Sequence, residues 1–152
     1  MKIRKSLLIA LSCLMLSPIS YSESKDEMKK GAQEDQRIFV EMPKMMQEHQ
    51  LANMRDHLNA INEILMYMAN DDLDKAGDIA ENRLGMSSMP THQAKRMGKL
   101  MPKEMKAIGF SMHKAASRFA LRAKEGKVAP ALKALQEVTA ACVACHATYR
   151  TH

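Results

Sequence analysis

Near its C-terminus the chain reads Cys142-Val143-Ala144-Cys145-His146, with only Ala147 to His152 after it. Residues three and four apart stand on one face of a helix, so both thiols and the imidazole can meet one planar ligand. That is the arrangement for covalent haem attachment: each thiol forms a thioether to a vinyl group, and the imidazole of His146 coordinates iron. A redox Cys-x-x-Cys reading needs a strand–helix context of thioredoxin type, which the sequence lacks. A zinc site needs a second ligand pair, and none stands at suitable spacing. With so little chain beyond His146, any second ligand to the iron is expected from upstream.

What lies upstream reads as helix. Leu51, Met54, Leu58, Ile61, Leu65 and Met68 alternate steps of three and four, the seam of an amphipathic helix. Asn70-Asp71-Asp72 ends it and caps a second helix with Leu73, Ala76, Ala80 and Leu84 inward, stopped by Gly85. Residues 86–101, interrupted by Ser87, Ser88, Pro90 and Gly98, read as a long connection with room for a short helix. A third helix is expected from Pro102 to about Glu125, with Met105, Ile108, Met112, Ala115, Phe119 and Arg122 inward and Gly126 closing it. A fourth begins near Pro130 and carries Leu132, Leu135, Val138, Cys142 and Cys145 or His146 on one face. No strand-like alternation of useful length occurs. The expected fold class is all-α, with covalent haem on the C-terminal helix.

Residues 1–22 have the form of a secretory signal: Lys2, Arg4 and Lys5 precede an apolar stretch from Leu7 to Leu16, and small residues follow to Ser22. Cys13 does not fit a lipidation site, because apolar residues continue past it. The expected organisation is a signal peptide over 1–22, a polar lead-in over 23–44 and a helical domain over 45–152, exported to the periplasm. Loss of the three leader cations lowers the net charge from +6 to +3. Basic and acidic residues are interspersed, so nucleic acid is not an expected partner. No apolar run is expected to span a bilayer in the mature chain. The apolar content is unusual in kind, with 15 Met against 3 Phe, 3 Tyr and no Trp. Flexible Met side chains suit moulding around a large planar body. Met42, Met45, Met46, Met86 and Met89 lack the tight Met/His repeat expected of a copper-binding surface.

Four helices with haem on the last, and the ending Cys142-Val143-Ala144-Cys145-His146-Ala147-Thr148-Tyr149-Arg150, resemble the cytochrome c′ family, the class II c-type cytochromes. The resemblance implies a left-handed antiparallel four-helix bundle holding haem c, with His146 as proximal iron ligand. It also implies a basic residue near the proximal imidazole. Arg150 is placed for that role; its other reading is a terminal cation favouring the helix dipole. Pairing of two copies through the first two helices is a further property such bundles often have, so a homodimer is compatible.

The resemblance leaves the sixth iron position open. Family members with an apolar cap bind small gases such as nitric oxide or carbon monoxide, whereas low-spin relatives use a Met from the first helix and carry electrons. Met54, on the expected seam, is the favoured sixth ligand. His57, one turn on, is the rival and would give bis-imidazole ligation at a lower potential. His49 and His113 read as hydrogen-bonding histidines, and neither His92 nor His152 reads as a site. Arg37, Lys44 and Arg55 are the basic residues considered for haem propionates. The expected role is one-electron transfer with periplasmic redox partner proteins; gas binding is the alternative. No acid–base pair argues for an enzyme.

Overall fold

The structure is a computed structural model and describes residues 34–152; the expected signal peptide and most of the lead-in lie outside the described residues. These residues are mostly helical with almost no strand, as expected for an all-α chain. A two-residue strand β1 (Ile38–Phe39) leads into α1 (Lys44–Ala69) and α2 (Leu73–Arg83). A 3₁₀ turn (Met86–Ser88) and the short α3 (Ala94–Met97) occupy the long connection. The helices α4 (Lys103–Ala123) and α5 (Val128–Thr148) follow, and β2 (Tyr149–Arg150) comes after them.

The predicted capping chemistry accounts for α2. The Asp72 side chain accepts from the Lys75 amide at 3.1 Å, satisfying one of the helix's free N-terminal donors. Leu73, Ala76, Ala80 and Leu84 are all buried, as their spacing predicts. Gly85 ends α2 for a different reason than expected. Its φ is −75°, not left-handed, but a Cβ there would lie 2.8 Å from the Glu81 Cα. Gly126, with φ of +69°, does take the left-handed turn that follows α4.

On α1 the expected seam is rolled. Ala60, Ile64 and Met68 are buried, whereas Leu58 and Leu65 are 70% and 46% exposed. The sequence offers two overlapping apolar stripes on this helix. Arg83 of α2 selects between them: its guanidinium bonds the carboxylate of Asp56 and, at 2.7 Å, that of Glu63. Holding those two acids toward α2 turns Ala60 and Ile64 inward.

The largest fully buried side chains of the core include Phe119, Ile64, Leu84 and Val138, drawn from α4, α1, the residue that caps α2, and α5. Small residues set the spacing: a Cβ at Gly77 would stand 3.1 Å from the Ala120 carbonyl oxygen. Two expected inward residues face out. Arg122 is exposed and pairs with Glu125 at 2.7 Å, because Ala123 takes the buried position beside it. Leu132 is exposed because Ala131, Ala134, Leu135 and Val138 form the stripe that α5 buries. By length and composition alone α5 is apolar enough to cross a bilayer, which the sequence reading did not anticipate. Its buried stripe belongs to the same core cluster as Phe119 of α4.

The described end of the lead-in is not simply polar. β1 pairs in parallel with β2, Ile38 against Tyr149 and Phe39 against Arg150, and the Val40 amide donates to the Arg150 carbonyl at 2.8 Å. Val40 and Tyr149 are buried together with Met105, and Met101 and Cys145 pack against them. The helix therefore stops at Thr148, and Arg150 lies in extended chain rather than on the helix that carries His146.

Candidate functional site

One cavity of about 380 Å³, open on one side, is lined by α1, the 86–101 connection, α4 and the C-terminal half of α5. That volume lies within the range of small-molecule and cofactor sites. Cys142, Cys145 and His146 all line it from α5. Their convergence follows from the three–four spacing on an unbroken helix. Both cysteines are free and half-buried. Burial pushes both thiols up from their ordinary values, and the neighbouring Cys142 adds to this at Cys145. Among the described residues no cluster of three His, Cys, Asp or Glu is arranged to hold a metal ion.

From α1, both sequence candidates reach the cavity: Met54 and His57 line it. Both side chains are partly buried. Because α1 is rolled, His57 stands in line with buried Ala60 and Ile64, and its Nε2 is enclosed without a hydrogen-bond partner. Met54 is half-buried.

Two further histidines share this wall. The His57 and His92 ring centroids are 4.8 Å apart at 61°, and those of His57 and His113 are 6.2 Å apart at 89°. His92 and His113 are 5.5 Å apart. Nδ1 of His113 donates to the Leu84 carbonyl at 2.7 Å. Nδ1 of His92 is 3.3 Å from Ser88 Oγ, and the His92 carbonyl is 3.3 Å from Nε2 of His49. Burial lowers the His57 pKa to about 4, helped by repulsion from His92 and His113 and partly opposed by Asp56. Burial also lowers His92, with His113 adding to it. Both are neutral imidazoles near pH 7.

Sequence reasoning assigned His92 no role, and its only local signal is Ser88 four residues earlier. Three histidines from α1, the connection and α4 meet only through the tertiary fold. The abundance of Met finds its place here too: Met89, Met97, Met101, Met105 and Met112 join Met54 in the lining.

Arg150 does not line the cavity; its guanidinium lies 5.0 Å over the Phe39 ring. Arg37, Lys44 and Arg55 do not line it either. Arg37 bonds the His146 carbonyl at 3.3 Å and Lys44 stands 4.0 Å from Glu48. The cation among the lining residues is Lys106 of α4, which the sequence reading passed over. Comparison of the chain with protein-family models, with curated proteins and with solved structures finds no match.

Proposed function

We propose that this chain is an exported mono-haem c-type cytochrome built as an antiparallel four-helix bundle, and that it carries single electrons between periplasmic proteins. One observation carries the reading: Cys142, Cys145 and His146 reach the same Met-lined cavity. The donor set fits the group. Two unpaired thiols at Cys-x-x-Cys spacing suit thioether formation, the next residue is an imidazole, and an enclosed imidazole nitrogen without a partner stands in the cavity wall.

Cys142 and Cys145 would hold haem c covalently, and His146 would be its proximal ligand. When bound, haem c supplies an iron centre that gains and loses one electron. The chain's own residues set the conditions. The Met side chains exclude water and adapt to an irregular outline. Lys106 offers positive charge to acidic substituents at the edge. On the α1 side, Met54 and His57 are the side chains able to donate to iron, and either would make the centre an electron carrier.

The test is expression in an export host with haem-attachment machinery, followed by a pyridine haemochrome spectrum of the denatured protein. One covalent haem per chain is expected, with loss of that attachment in the double variant Cys142→Ala, Cys145→Ala. A wild-type chain without covalent haem would overturn the reading. A high-spin centre with rapid carbon monoxide uptake would redirect it to gas binding.

A further inference from the structure

We propose that His57 is the second protein ligand of the haem iron, and that His92 and His113 are positioning residues that hold its ring. The assignment rests on the cytochrome reading above and decides what that centre does.

A thioether and an imidazole have different needs when buried. A Met sulfur in an apolar cavity is satisfied by contact alone, and five other Met side chains line this cavity on those terms. Nothing about the surroundings of Met54 calls for a bond. The Nε2 of His57 is a polar atom enclosed by protein and has no hydrogen-bond partner. Buried polar atoms are paired in the great majority of cases, so an exception at a cavity wall points to a partner that enters the cavity. Cys142, Cys145 and His146 reach the same space, and an iron ligated by His146 has a sixth position to fill.

The packing around the ring supports the same assignment. His92 and His113 stand edge-on to His57, at 61° and 89°, and come from different segments. Each is fixed in turn: His113 Nδ1 bonds the Leu84 carbonyl, and His92 Nδ1 lies against Ser88 Oγ. Ligating imidazoles depend on such outer partners to hold their orientation. Here orientation comes from ring against ring, and Nε2 of His57 is left without a partner among the protein's own groups.

Two imidazoles on iron give a low-spin centre with a lower reduction potential than imidazole and thioether. They also close the iron to diatomic gases, which separates this protein from a five-coordinate gas binder.

The experiment uses the haem-loaded full-length protein. Wild-type ferric protein is expected to give the low-spin electron paramagnetic resonance and near-infrared signature of bis-imidazole iron, without the far-red thioether–iron band. Its ferrous form should not take up carbon monoxide during a stopped-flow measurement. His57→Gly should turn the centre high-spin and open it to carbon monoxide, and added free imidazole should restore the low-spin spectrum. That rescue shows the variant is folded. Met54→Leu should leave the low-spin signature in place. His92→Ala and His113→Ala should keep covalent haem but broaden the resonance, and His113→Gln should sharpen it again. A far-red band that vanishes in Met54→Leu would overturn the proposal. So would a high-spin, gas-binding wild type, or a His57→Gly variant that stays low-spin without added imidazole. Absence of covalent haem from the wild type, read separately in the pyridine haemochrome, would remove the cytochrome reading itself and this assignment with it.

Discussion

Gly77 of α2 meets α4 at the backbone of Ala120: an added Cβ would stand 3.1 Å from the Ala120 carbonyl oxygen and 3.3 Å from the Ala123 Cβ. Neither neighbour is the flexible end of a long side chain, so the contact cannot relax locally. Gly77→Val should therefore separate the two helices and cost about 1–3 kcal/mol, the usual range for overpacking. Urea denaturation followed by circular dichroism would measure it; an unchanged midpoint would mean that α2 and α4 do not approach this closely.

Gly109 gives the opposite expectation. It lies inside α4, and a Cβ there would meet nothing within 4 Å. Gly109→Ala should stabilise the haem-free protein by about 0.5–1 kcal/mol through helix propensity alone. A lower midpoint in the same urea titration would contradict this.

Arg83 is expected to fix the roll of α1. Its side chain is 27% exposed and bonds Asp56 and Glu63 together, stronger geometry than an isolated surface pair offers. Replacing it with Met should cost about 1 kcal/mol, allowing for partial solvent screening. Part of the loss should be electrostatic. A double-mutant cycle with Glu63→Gln reads the pair directly, and a coupling of zero would show that packing alone orients the helix.

His57 makes a prediction about acid. Its folded pKa of about 4 lies below the ordinary 6.5, so the unfolded chain takes up a proton first as pH falls. The stability from keeping the ring neutral is fully present above about pH 6.5 and is lost as pH drops toward 4. His92, also lowered, acts in the same direction. For the haem-free protein, unfolding free energy should fall across that window, by at most about 1.4 kcal/mol per pH unit for each proton. His57→Gln should flatten the profile. An equally steep slope in that variant would place the titration elsewhere.

The parts of the fold legible in the sequence are those carried by local chemistry. Asp72 caps α2 because its carboxylate needs only the next turn, and the inward set from Leu73 to Leu84 has a single apolar stripe to choose. The thiols and His146 reach one cavity because five consecutive residues of helix carry them there. Where two stripes competed, as on α1, the answer depended on an arginine in another helix, which turned Ala60 and Ile64 inward and left Leu58 and Leu65 exposed. His92 was illegible for the same reason: its meaning comes from His57 and His113, which are distant in sequence. Arg150 was misplaced because helix periodicity was carried past Thr148, where pairing with Phe39 draws the chain into a strand.

The parallel pair of β1 and β2 joins residues 111 positions apart, Ile38 to Tyr149. Bringing such distant segments together is entropically costly and forms late compared with helix–helix contacts between neighbours in sequence. Tyr149 and Val40 form the small apolar cluster against which Cys145 packs. The helices around the cavity are thus expected to assemble while the flank beside Cys145 is still open.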